Sequence, residues 1–175
     1  SNGEMEFRKD LEALEALPWV RRVDVWAETS KRTVSYALCD DRRTLLWFGN
    51  QRAVEYHPTL VRADDPEHAT HLVLDLDPPE GAGFTAAVAA AQLVRQVLDD
   101  LGLAGVAKTS GAKGVHVFVP IDGRTSLDDA AAATRAVAAR AVALDPAVAT
   151  SAFVKDERDG EVFVDPSRVG GAPAV

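Results

Sequence analysis

The chain has 175 residues, 47% of them apolar and 26% charged, with a formal net charge of −8 and a pI near 4.9. That length and mixture fit one soluble globular domain able to bury a core without staples. The acidic balance argues against a broad, non-specific DNA-binding face, because phosphate neutralisation supplies most of that affinity, but it allows a local basic groove. The single cysteine, Cys39, excludes an internal disulfide and fits a reducing compartment.

No apolar run approaches the roughly 20 residues needed to span a bilayer. No basic-then-apolar leader opens the sequence, so a cytoplasmic site without membrane attachment is expected. Basic residues gather at Arg21-Arg22, Lys31-Arg32, Arg42-Arg43, and Lys108 with Lys113. Any nucleic acid would have to use these.

Leu11, Leu14 and Leu17 predict a short amphipathic helix over 8–17, ended by Pro18. Alternation predicts strands over 20–26 and 33–38, joined by a polar turn at 28–32. A helix is expected over 43–56, running to His57-Pro58, and a loop over the acidic stretch 62–70. His71-Leu72-Val73-Leu74-Asp75-Leu76-Asp77 reads as a strand stopped by Pro78-Pro79. Residues 84–101 form a long helix in this reading, with Val88, Leu93, Val94, Val97, Leu98 and Leu101 available for burial and Gly102 as its C-terminal cap. Strands at 105–109 and 115–119 flank the turn Ser110-Gly111-Ala112-Lys113-Gly114. Ser126 and Asp129 resemble a capping box opening an alanine-rich helix to about 143. A hairpin is expected from 151–155 and 161–165 around Asp159-Gly160. The order implies an α+β fold, a mixed or antiparallel sheet flanked by helices, in a single domain over 1–175.

Three features could carry chemistry. Asp75 and Asp77, at i and i+2, project from one face of a strand, opposite Leu72, Leu74 and Leu76. Adjacent carboxylates repel, and a divalent cation preferring oxygen ligands offsets that cost. For a lone Asp-x-Asp, which is common, an exposed strand end is the favoured reading over a metal site. Asp165 closes another apolar strand before a proline. If the two strands are neighbours, three carboxylates converge and could hold two metal ions; by itself Asp165 reads rather as a strand-terminal turn aspartate. In Ser110–His116, two glycines allow sharp turns that aim N–H groups at an anion. Ser110 adds a hydroxyl and Lys113 a charge, and His116 faces away from Val115, Val117 and Val119. The spacing is not that of a Walker A loop. A plain glycine turn with solvated Lys113 is the competing reading. His57, His68, His71, Arg168 and Cys39 read individually as structural or surface residues.

Taken together, Leu74-Asp-Leu-Asp-Pro78, Lys108-Thr-Ser-Gly-Ala-Lys-Gly-Val-His116 and Val162-Phe-Val-Asp165 resemble, in order and spacing, the polymerase domain of bacterial ligase-D end-joining proteins, within the archaeo-eukaryotic primase superfamily. Leu46-Trp-Phe-Gly-Asn-Gln51, Glu55-Tyr-His-Pro58 and Arg62-Ala-Asp-Asp65 are also similar to it. The resemblance implies a primase-polymerase-like fold and a nucleotidyltransferase that adds nucleotides to a primer 3′-hydroxyl. It implies Asp75, Asp77 and Asp165 as catalytic metal ligands for Mn²⁺ or Mg²⁺ in a two-metal site. It further implies Ser110, Gly111, Lys113, Gly114, His116, Lys108, His57 and Arg168 as nucleotide contacts. Nucleoside triphosphates, with ribonucleotides preferred, and primed or broken DNA ends would be its ligands. Ku-like and ligase proteins would be its partners, at the bacterial nucleoid.

Against that pattern the sequence lacks the family's N-terminal basic and aromatic segment and its C-terminal continuation. Pro166-Ser167 replaces the usual aromatic-aliphatic pair. These departures make a non-catalytic nucleotide- or DNA-binding remnant of the same fold the alternative expectation. A third is a different metal-dependent phosphoryl-transfer or hydrolytic enzyme.

Overall fold

A computed structural model describes residues 17–27, 31–51 and 59–169. The expected helix over 8–17, the turn at 28–30 and the end of the expected 43–56 helix therefore fall largely outside the described residues. Two compact units emerge, 1–58 and 59–175. In the first, strands β1 (Arg22–Ala27) and β2 (Arg32–Ala37) form an antiparallel pair, with Arg22 opposite Ala37. Helix α1 (Arg42–Asn50) is started by Asp41, whose carboxylate accepts hydrogen bonds from the Arg43 and Thr44 amides at 2.7 and 3.0 Å.

The second unit holds a five-stranded sheet and two long helices. Its strands are β5 (His71–Asp77), β6 (Val106–Thr109), β7 (Val115–Pro120), β8 (Ala149–Thr150) and β9 (Val162–Asp165), in the order β6-β7-β5-β9-β8. Every pairing is antiparallel except β8 with β9. The sheet is therefore mixed, as the element order implied.

Side chains alternate across it. Leu72, Leu74, Leu76, Val115, Val117, Val119, Val162 and Val164 are buried in the core cluster. Helices α2 (Phe84–Asp100) and α3 (Leu127–Leu144) contact β5 and each other. Many of their buried residues are small: Ala87 and Ala90 on α2, and Ala130, Ala138 and Ala141 on α3. This differs from the expected burial face of α2. Val94, Val97 and Leu98 are buried, whereas Val88 and Leu101 lie on the exposed side. The buried stripe of α2 runs through Ala87, Ala90, Val94, Val97 and Leu98.

The helix ends follow local chemistry. Gly102 has φ +67° after α2, and the Leu103 amide donates to the Leu98 carbonyl at 2.9 Å, closing the turn. Ser126 Oγ accepts from the Asp129 amide at 3.1 Å and donates to the Asp129 carboxylate at 2.8 Å, giving the expected cap. Among the described residues no helix is long and apolar enough to cross a membrane.

Two expectations are corrected. The stretch 62–70 is not simply a loop: β3 (Val61–Arg62) pairs antiparallel with β4 (Asp65–Ala69), and His68 bridges Ser126. Nor is there a 151–165 hairpin. Asp159 and Gly160 do turn sharply, with φ +42° and +92°, but residues 151–154 form no strand and Lys155–Glu157 make one 3₁₀ turn. β9 instead takes β8 as a parallel neighbour, through Ala149 opposite Val162.

Candidate active site

The site lies on the face of the sheet opposite the core cluster. β5 is central, with β7 on one side and β9 on the other. Register places Asp75 opposite His116 on β7 and opposite Asp165 on β9. His116 in turn pairs with Lys108 on β6. Lys108, His116, Asp75 and Asp165 thus form one row across four strands. Directly opposed residues stand about 5 Å apart at Cβ, so the row is continuous. Asp77 lies one side-chain step further along β5, opposite Phe163.

The acids are met by cations of the protein itself. The Arg168 Nη2 and Nε groups donate to Asp75 Oδ2 at 2.6 and 3.2 Å. His116 Nε2 approaches the other oxygen, Oδ1, to 3.4 Å. Asp77 has Lys113 Nζ at 3.8 Å and Arg158 Nη1 at 3.4 Å. Asp165 Oδ1 accepts from the Ser167 amide at 2.8 Å. Burial pulls the His116 imidazole below the ordinary histidine range. Asp75 opposes this, while Lys108 and Arg168 reinforce it.

The turn between β6 and β7 abuts the end of β5. The Ser110 amide donates to the Gly114 carbonyl at 3.0 Å. Ser110 Oγ accepts from the Gly114 and Ala112 amides at 3.1 and 3.3 Å. Gly111 holds φ +96°, and a Cβ on Gly114 would stand 2.5 Å from the Leu76 carbonyl oxygen. Both glycines are therefore required by geometry. Lys113 projects from this turn toward Asp77, so the turn and the acids form one site.

The structure therefore gathers Asp75, Asp77, Asp165, Ser110, Lys113, His116, Lys108 and Arg168, together with the turn glycines Gly111 and Gly114. His57 lies outside the described residues. Arg158 went unnoticed in the sequence reading. It is 8% exposed, donates from Nε to the Ala152 carbonyl at 3.0 Å and from Nη2 to the Phe153 carbonyl at 2.9 Å, and lies 4.1 Å over the Phe163 ring. No local pattern distinguishes it from the other charges between 155 and 161; only the tertiary pairing does.

Among the described residues no three carboxylate, imidazole or thiol groups enclose a cation pocket as the side chains stand, and Asp75 and Asp77 are each paired with cations of the protein. The donor set nevertheless fits a hard divalent ion: all three acids offer oxygen, and the backbone makes Asp75 and Asp165 direct neighbours with Asp77 on the same face.

The mixed sheet with carboxylates paired across its central strands, beside a glycine turn carrying serine and lysine, has the fold of a polymerase domain already solved, and the family assignment is of primase-polymerase type. The family model described as "LigD, primase-polymerase domain" matches residues 1–174, and the chain belongs to that family. It is 37% identical over 174 residues to the multifunctional non-homologous end joining protein LigD of Mycobacterium bovis, an alignment covering 95% of this chain and 22% of the relative. The LigD of Mycolicibacterium smegmatis is 33% identical over 168 residues, again covering 95% of this chain and 22% of the relative. The solved polymerase domain from Mycobacterium tuberculosis ligase D, in complex with DNA, superposes with a TM-score of 0.81 at 35% identity, covering 91% of this chain and 57% of that one. The chain thus spans about a fifth of the length of these curated relatives.

Proposed function

We propose that this chain is a metal-dependent nucleotidyltransferase of primase-polymerase type, adding nucleotides to a primer 3′-hydroxyl during non-homologous end joining. The observation that carries the reading is the register of the sheet, which makes Asp165 and His116 the two cross-strand neighbours of Asp75. Asp75, Asp77 and Asp165 would hold Mn²⁺ or Mg²⁺, which supplies Lewis-acid stabilisation of phosphate charge and lowers the pKa of an attacking hydroxyl.

The chain's own residues bind and orient. Ser110 holds the turn closed, so the glycine segment stays fixed as a phosphate cradle. Lys113 and Lys108 supply positive charge along a polyphosphate. A ring N–H of His116 can donate a hydrogen bond to a phosphate oxygen. Arg168 offers a planar fork of donors suited to a phosphate. Nucleoside triphosphates, ribonucleotides among them, and primed or broken DNA ends are the proposed ligands. Ku-like and ligase proteins are the proposed partners, in a bacterial cytoplasm at the nucleoid. The DNA bound to the solved M. tuberculosis polymerase domain supports the nucleic-acid part of this reading.

Primer extension with Mn²⁺ and ribonucleotides tests it. Extension that requires the metal and disappears in Asp75→Ala/Asp77→Ala is the expected result. Extension unchanged by that double substitution would remove the metal assignment. The second reading, a non-catalytic binding remnant, is favoured by the pairing of the acids with Arg168, Arg158 and Lys113. It predicts nucleotide binding by calorimetry with no extension on any primed template.

A further inference from the structure

Asp75 has both carboxylate oxygens engaged within the protein. Two donors of Arg168 converge on Oδ2 at 2.6 and 3.2 Å, and His116 Nε2 faces Oδ1 at 3.4 Å. The Asp75 side chain is 14% exposed, against 43% for Arg168. The acid is therefore fixed in the sheet, while the arginine reaches in from a turn three residues beyond Asp165. A charge-assisted contact of this length is among the stronger polar interactions a protein makes. The contacts to Asp77 are longer, at 3.4 and 3.8 Å. A cation that takes Asp75 Oδ2 as a ligand competes with Arg168 for its lone pairs, and even a cation on Oδ1 would stand close enough to the guanidinium for the two positive groups to repel.

We infer that Arg168 is a latch on Asp75: it holds the carboxylate in the metal-free protein and must be displaced by the divalent cation, so it lowers the affinity of the site for the bare ion. The inference rests on the reading of Asp75 as a metal ligand. The latch also offsets the repulsion among Asp75, Asp77 and Asp165 that would otherwise burden the protein without metal. Once displaced, its guanidinium remains beside the site as a donor for an anionic substrate. An anion that draws Arg168 away therefore favours metal binding at Asp75, and metal binding favours the anion to the same degree.

The test is Mn²⁺ binding to the whole chain without nucleotide, followed by calorimetry and by the electron paramagnetic resonance of the free ion. Arg168→Gln is expected to bind Mn²⁺ more tightly than the wild type, on the order of tenfold, which corresponds to releasing one charged hydrogen-bonded contact. A second measurement needs no variant. The Arg168 Nε–H proton resonance of the wild type should shift and exchange faster with water as Mg²⁺ saturates the protein. Equal or weaker Mn²⁺ binding by Arg168→Gln overturns the latch, as does an Nε–H signal unmoved by saturating Mg²⁺. In both cases the metal site itself survives. No Mn²⁺ binding by either protein would overturn the latch and the proposed metal site together.

Discussion

The two faces of β5 are built from the same seven residues and do opposite work. On one face Leu72, Leu74 and Leu76 are at most 4% exposed and pack under α2 and α3. On the other, Asp75 and Asp77 stand among Arg168, His116, Lys113 and Arg158. The apolar face contributes stability in proportion to buried area. The charged face gathers groups whose attraction is largely offset by desolvation and solvent screening. A single strand therefore separates what holds the fold from what the fold presents, with a period of two residues between them.

Substitutions can break this contrast, beginning with the core. Leu74→Ala should cost about 2–5 kcal/mol in denaturant unfolding, because it opens a cavity beneath both helices. Asp75→Ala/Asp77→Ala should change stability by only about 1 kcal/mol while abolishing extension. A double variant as unstable as Leu74→Ala would show that the charged face also carries the fold.

Gly114→Ala sharpens the contrast at the point where the faces meet. Its Cβ would stand 2.5 Å from the Leu76 carbonyl, so the turn or β5 must shift. The expected cost is about 1–3 kcal/mol, with weaker nucleotide binding by calorimetry. Arg158→Ala removes the donor from two loop carbonyls and should cost about 1–2 kcal/mol. Amide hydrogen exchange should quicken in 151–160 and stay unchanged in α2.

The smallest effect separates two histidines. His116, lowered by burial, should titrate below the ordinary value in proton NMR. Its unfolded form takes up a proton first, so its contribution to stability is present above that ordinary value and is lost as pH falls below it. His68 lies 2.7 Å from Asp65 Oδ1, and that hydrogen bond raises it. Its contribution is complete below the ordinary value and is lost as pH rises through the raised one. Asp65→Asn should return His68 toward the ordinary range and leave His116 unmoved.

Much of the charged face was legible in the sequence because its signals are local. The i, i+2 spacing put Asp75 and Asp77 on one face, and Pro78-Pro79 ended β5 where expected. The glycine turn between two short strands was equally plain. That Asp165 faces Asp75 is a matter of register between strands 90 residues apart, and no local pattern contains it; the family resemblance suggested it. The β3–β4 pair escaped because its apolar content is slight and its support comes from Ser126 across the fold. The expected 151–165 hairpin failed for a similar reason. Arg158 ties the 152 and 153 carbonyls to Asp77, and β9 draws on Ala149–Thr150 instead. Arg168 reads as a surface charge by itself and entered the site only through the family resemblance; its contact with Asp75 is a tertiary one that no local pattern contains.

The central claim is that Asp75, Asp77 and Asp165 form a metal centre beside a polyphosphate cradle. A crystal structure of the chain with Mn²⁺ and a non-hydrolysable ribonucleoside triphosphate tests it most directly. Mn²⁺ bound by these three carboxylates, with the phosphates against Ser110, Lys113 and His116, is the expected result. Triphosphate bound elsewhere on the molecule, with Asp75 still held by Arg168, would contradict it.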